Sequence, residues 1–212
     1  MLWLRFYHKP AASAVSCVNR LQVIGFALHV YAIDHNGSYL TDVAVENRLK
    51  LDAITRIGPA LYFQTFSNEI GTTKALVCPL DTRSPATNWD ALTREHISYF
   101  LSLSATPQIP NAILAGDRNL QINGRPVSSG ILTLATNSPI SWTREMHSRD
   151  YDIPCGNLLF ADGSVETVKA RVVSGTWSAR RYGRDGSVKL IQEDLKKVIQ
   201  NQSLPTNVLS IP

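Results

Sequence analysis

The sequence predicts an α+β domain, and three observations predict it. Apolar residues recur at spacings of three and four between Val15 and Ile33, the period of a helix face. Beyond Gly71 the apolar pattern breaks into short β-like runs separated by Gly, Pro, Asn and Asp. A second helical pattern closes the chain near residues 188–200. Helical and extended segments are segregated rather than alternating, which argues against a parallel α/β sheet. The 212 residues are 44% apolar and 18% charged, enough for a sizeable core and too apolar for a disordered chain. The apolar runs fall short of the roughly 18 residues that span a bilayer.

Each element has its own signal. Residues 1–10 are aromatic and basic, without the apolar stretch of a secretory signal. Val15, Val18, Leu21, Ile24, Leu28 and Tyr31 form one face of a helix over 11–34. Val23, Phe26, Val30 and Ile33 add a second apolar strip, which predicts burial on both sides. Asn36-Gly37 supplies a left-handed stop. Residues 46–70 read as further helix with a break at Gly58-Pro59, and Gly71 closes it. Strand-like runs follow at 75–78, 97–103, 112–115, 130–134, 157–161 and 164–168. Asp162-Gly163 lies between the last two, which predicts a type I′ hairpin with one apolar, inward face. Residues 171–188 read as loop, 188–200 as helix, and 203–212 as an extended tail.

Charge and cysteine usage narrow the chemistry. The net charge is +4, but residues 169–197 alone carry +5 and the remainder −1. Such a segment is a candidate anion-binding or nucleic-acid-binding surface, weighed against a plain solvated face. It lacks the basic and aromatic ladder that grips single strands. Cys17, Cys78 and Cys155 form no CxxC or CxxH metal pair. One bridge with a free thiol, or three free thiols, are both open.

No GxSxG, HExxH or P-loop pattern accompanies the histidines. An enzyme of unfamiliar type would use His147 with Asp117 or Asp162, were a deep pocket to join them. Gly116 and Asp117 follow a strand and have turn composition, which makes Asp117 a weak Ca²⁺ candidate. No acidic series accompanies it, and an Asp-stabilised turn is the simpler reading. Cys78-Pro79 reads as a strand end entering a Pro-fixed turn. Composition and spacing thus point to no active site, no cofactor and no metal beyond that weak calcium candidate.

Several segments together resemble a known family. They are the run from Cys17 to Ala32 followed by Asp34-His35-Asn36-Gly37; Ser67 to Thr72; Leu76-Val77-Cys78-Pro79-Leu80-Asp81; Ile97-Ser98-Tyr99-Phe100; Ile113 to Asn119; Gly156 to Val165; and Thr206 to Pro212. In this order they resemble type II secretion pseudopilins, the type IV pilin-like proteins, of the expanded group in Planctomycetes and Verrucomicrobia. The likeness covers residues 15–212 with gaps. That group has a shorter interval between its His and its Asp-Gly; here 14 residues separate His147 from Asp162. Residues near 148–155 and 171–188 read as insertions. Residues 1–14 form an atypical start, without the leader, peptidase site or apolar span of a prepilin.

The resemblance implies a pilin-like fold over 15–202, with an N-terminal helix on an antiparallel sheet. It implies a bacterial, non-enzymatic structural subunit of the cell envelope, with other pilin-like or secretion-system proteins as partners. Asn36, Gly37, Cys78, Pro79, Gly116, Asp117, His147, Asp162 and Gly163 are its motif positions, with His147 read as a cap on the 157–168 hairpin. No nucleic acid is expected. Without an anchor, this chain alone is expected to be soluble and monomeric or weakly associating. A pilin-like adhesin using exposed Trp89, Trp142 or Trp177 is an alternative within the same fold.

Overall fold

The computed structural model of the chain describes residues 9–39, 58–135, 137–147, 153–169, 171–174, 189–191, 193–200 and 206–212. It is mixed α+β, with an N-terminal helix on antiparallel sheets. Helix α1 (Lys9–Asp34) is 26 residues long. It ends where expected. Asn36 and Gly37 have φ of 55° and 75°, and Gly37 N–H donates to the Ala32 carbonyl at 2.8 Å. Short helices Ala60–Thr65 and Ser67–Ile70 follow, the latter closed by Gly71 at φ 75°. The helix expected over 46–57 lies outside the described residues.

The eleven strands among the described residues are β1 (Tyr99–Ser102), β2 (Ile113–Asp117), β3 (Leu120–Ile122), β4 (Arg125–Pro126), β5 (Gly130–Ala135), β6 (Ile140–Trp142), β7 (Cys155–Phe160), β8 (Val165–Lys169), β9 (Arg171–Ser174), β10 (Lys189–Ile191) and β11 (Thr206–Ile211). Six of them form the main sheet in the order β5-β11-β1-β2-β7-β8. A three-stranded sheet has the order β4-β3-β6, and β9 pairs with β10.

The main sheet separates two apolar cores. Tyr99, Leu101, Ala115 and Leu159 point to the α1 side, where they meet Cys17, Leu21, Ile24, Leu28 and Tyr31. Phe100, Leu158, Phe160 and Leu209 point to the other side, where Trp142 and the helix Glu193–Gln200 contribute Leu195 and Ile199. Neighbouring residues take opposite faces because side chains alternate along a strand. Gly25 lets α1 approach β7 closely: a Cβ there would stand 2.9 Å from Leu159 Cδ1.

Several expectations are corrected. Val15, expected on the buried face, is 59% exposed; in the second strip Val23 is 41% exposed, and Phe26 and Ile33 more so. The second strip of α1 is therefore not in the core. Residues 73–76 form a 3₁₀ turn, not a strand, because Thr72 Oγ1 accepts from Lys74 N–H. Residues 171–174 are strand rather than loop, paired with 189–191, so the final helix starts at Glu193. The extended tail is β11, hydrogen-bonded on both sides, to β5 and β1.

The hairpin at Asp162-Gly163 exists, but its turn is one residue longer than type I′. Leu159 pairs with Val165. Gly163 N–H donates to the Phe160 carbonyl at 3.0 Å and Phe160 N–H to the Ser164 carbonyl at 2.9 Å. Gly163 has φ 84°, and Asp162 is not among the positive-φ residues. This is a type I turn with a glycine bulge. Loop 110–112 dictates it: Ala161 and Asp162 donate their N–H groups to the carbonyls of Ala112 and Pro110. The type I′ turn occurs instead at Asn123-Gly124, φ 51° and 74°, between β3 and β4. Both faces of β7 are covered, so the hairpin has no polar outer face there.

Candidate functional site

The chemistry-bearing residues gather where α1, the 78–81 turn, β2, the 143–147 loop and β7 meet. Cys17 lies one helical turn before Leu21 on the buried face of α1. It forms a disulfide with Cys78, Cα–Cα 5.2 Å, across 61 residues. In the chain-entropy view, closing a loop of that length is worth about 4 kcal/mol. Cys155 is buried and is not part of the disulfide.

Cys78 is placed by its own turn. Its N–H donates to Ser98 Oγ at 2.9 Å, and Asp81 N–H donates to its carbonyl at 2.9 Å. Pro79 occupies the second position, where its fixed φ suits the turn. Asp81 anchors the other end. It accepts from Arg118 Nε and Nη2, each at 2.8 Å, and from Ser98 Oγ at 2.7 Å. Burial alone would raise the Asp81 pKa; the Arg118 and Ser98 hydrogen bonds and the Arg118 charge together outweigh it and hold the carboxyl below its usual range. Nearby, burial, with the Arg118 charge adding, lowers the Arg83 guanidinium to about 10.

His147 sits behind this turn with no solvent exposure. Its Nε2 lies 3.5 Å from Cys78 Sγ, 3.1 Å from Asp117 Oδ2 and 3.0 Å from Asn157 Nδ2. Asp117 ends β2, fully buried, and accepts from Asn157 N–H at 2.5 Å. Asn119 Nδ2 donates to the carbonyls of Thr143, Glu145 and Cys155, which holds the 143–147 loop on β7. Met146, with φ 56°, makes the sharp bend that turns His147 inward. A bulky residue in the left-handed region costs free energy that its surroundings must repay.

Cys78, Asp117 and His147 thus come together, and Asp162 does not join them. Asp162 is at the hairpin tip, where Oδ1 accepts from Ser164 N–H and Oγ. Those bonds and the backbone one lower its pKa. His147 meets the hairpin at its open end, through Asn157, and not at its tip. His29 and Tyr39 hold the tip: His29 Nε2 and Tyr39 Oη both bond the Ala161 carbonyl, at 2.9 and 3.0 Å. Burial, with Asp162 adding, pushes the Tyr39 phenol up to about 12. Gly116 lies in β2 rather than a turn, with Phe100 and Leu158 against it. Asp117 therefore lies at a buried strand end, not in the turn expected for it.

Chemically, this cluster is a buried polar core. Both Cys78 and Asp117 face the same imidazole nitrogen, so His147 is not poised as a relay between them. Two clefts share Arg118, the partner of Asp81. One, about 320 Å³, is lined by Arg83, Arg94, Glu95, Arg118, Ser129 and Pro212 among others. The other, about 230 Å³, is lined by Leu80, Asp81, Glu145 and Met146 among others. Neither lining includes His147, Asp117 or Asp162.

Of the tryptophans considered for an adhesive surface, Trp142 is buried at 1% and Trp89 packs partly against the core. Trp177 lies outside the described residues. So do Arg180, Arg181 and Arg184 of the basic segment. The sequence reading missed Cys17 as the partner of Cys78, the Asp81–Arg118 pair, Asn157 and the His29 clamp. Only Cys17 had a signal: it continues the spacing of Leu21, Ile24 and Leu28. No helix among the described residues is long and apolar enough to cross a membrane. Comparison with protein-family models, curated proteins and solved structures returned no match to this chain.

Proposed function

We propose that this chain is a pilin-like structural subunit that acts by packing against other pilin-like subunits in the bacterial cell envelope. The observation that carries this reading is the outer face of α1. Four of the five exposed large hydrophobic residues among those described lie on it: Val15, Val23, Phe26 and Ile33. They span 19 residues, about 27 Å along the axis at 1.5 Å rise per residue. Single exposed apolar residues are ordinary, but four of them along one side of a helix suit an interaction surface. A long N-terminal helix on an antiparallel sheet, with one face buried and one apolar face outward, suits assembly through helix–helix contacts. The buried His147 cluster supports the same reading, since its groups fasten α1, the 78–81 turn, β2 and β7 together.

The test is sedimentation of the full chain over a wide concentration range, alone and with Phe26→Glu and Ile33→Glu combined. Concentration-dependent association by the parent chain, lost in the double variant at unchanged melting temperature, is the expected result. Identical sedimentation of the two across the range overturns it.

A further inference from the structure

We propose that Cys17, Cys78 and His147 form a divalent-metal site of the zinc class once the Cys17–Cys78 disulfide is reduced. The three ligand atoms are Cys17 Sγ, Cys78 Sγ and His147 Nε2, and all lie within 4.8 Å of one another. Zinc favours thiolate and imidazole ligands in a tetrahedral set, with bonds of about 2.3 Å to sulfur and 2.0–2.1 Å to nitrogen. Those bond lengths place a nitrogen and a sulfur ligand about 3.5 Å apart on a tetrahedral edge, and a nitrogen and an oxygen ligand about 3.3 Å apart. Here His147 Nε2 is 3.5 Å from Cys78 Sγ and 3.1 Å from Asp117 Oδ2. The Cα atoms of Cys17 and Cys78 are 5.2 Å apart, so both sulfurs reach one centre.

A second observation points the same way. Asp117 is fully buried, and its Oδ1 has no hydrogen-bond partner. A buried carboxylate oxygen left so is costly. A cation bound at Nε2 would sit beside that carboxylate and compensate it. Asp117 then acts as the nearest oxygen for the fourth position and as the charge partner of the site. Met146 in the left-handed region fixes the inward turn of His147 that the geometry requires.

The redox step is a two-electron exchange. A reductant of the dithiol class gives two electrons and two protons to the Cys17–Cys78 bond and becomes a disulfide itself. The metal ion then displaces the two thiol protons, because thiolates are the ligands. The cleft lined by Leu80 and Met146 adjoins the site. Leu80 N–H lies 3.4 Å from Cys78 Sγ, and Met146 precedes His147.

The experiment uses the full chain reduced with a phosphine, which supplies the same electrons without binding zinc as a dithiol would. Zinc and cobalt(II) are the probes. The expected result is one zinc bound per reduced chain, none per oxidised chain, and a thiolate-to-cobalt absorption band for the cobalt form. His147→Gln should weaken zinc binding at least tenfold and leave the melting temperature of the oxidised chain within a few degrees. Cys155→Ser should bind zinc as the parent does. Zinc binding by the oxidised chain, unchanged affinity in His147→Gln, or loss of binding in Cys155→Ser would each overturn the assignment. So would a reduced chain that unfolds and does not regain its circular dichroism when zinc is added.

Discussion

The two apolar faces of α1 have similar compositions and opposite fates. Cys17, Leu21, Ile24, Leu28 and Tyr31 are at most 5% exposed, while Phe26 and Ile33 are 70% and 80% exposed. Helical period tells which residues share a face. It does not tell whether a second layer covers that face. The buried face is decided by close packing: Gly25 admits Leu159, and the Cys17–Cys78 bond fastens the helix start to the 78–81 turn. The outer face meets no such partner in the described chain.

The largest effect that would sharpen this contrast comes from truncation on the inner face. Leu21→Ala and Leu28→Ala should each cost about 2–5 kcal/mol, the range for buried leucines that leave a cavity. Denaturant titration reads it. Costs near zero would place α1 away from the sheet.

Next is the anchor of the Cys78 turn. Asp81→Asn keeps the shape and removes the charge from a bidentate pair, which should cost about 1.5–3 kcal/mol. Arg118 is one-fifth exposed, so the lower half of that range is expected. The sign of the pH dependence follows from the lowered pKa. The folded chain holds Asp81 ionised more tightly than the unfolded chain does, so its contribution is present above the ordinary carboxylate pKa of about 3.9. It is lost as pH falls through the still lower folded value. Thermal melts from pH 6 down to pH 2 should therefore show an acid drop that Asp81→Asn flattens.

A smaller effect belongs to the hairpin. A Cβ at Gly163 meets no atom within 4 Å, so the penalty is conformational alone. Gly163→Val should cost about 1–2 kcal/mol from the left-handed backbone, while Ser164→Thr should keep its bond to Asp162 and change little. Equal midpoints for the two variants would remove the bulged turn.

The sequence exposed elements better than environments. The α1 span, its Asn36-Gly37 stop, the Gly71 closure and five of the six main-sheet strands (β1, β2, β5, β7 and β8) were legible, because period and turn chemistry are local. Which Asx-Gly pair adopts type I′ was not. Asn123-Gly124 takes it, whereas Asp162-Gly163 is overruled by loop 110–112, a tertiary contact invisible in the chain order. Leu190 and Ile191 fit a helical spacing and were drawn into β10 by pairing with Arg171 and Val172. The His147 cluster was hardest to see, because its members come from residues 17, 78, 117, 147 and 157. Of these, Cys78, Asp117 and His147 had been singled out, but on separate grounds and with no sign that they meet.

The smallest expected stability effect breaks or keeps the contrast most directly. Phe26→Ala removes more apolar surface than Leu28→Ala, so a scale based on residue type alone ranks it as more damaging. Position reverses that order. Phe26 is 70% exposed and leaves no cavity, and alanine has the better helix propensity. Its unfolding midpoint should shift by no more than about 0.5 kcal/mol, the range of ordinary surface changes. The same variant should nonetheless weaken any association made through the outer face, since that face loses its one aromatic ring. A Phe26→Ala cost that matches Leu28→Ala in dilute solution would mean that the outer stripe is already covered within a single chain, and the assembly surface would have to be sought elsewhere.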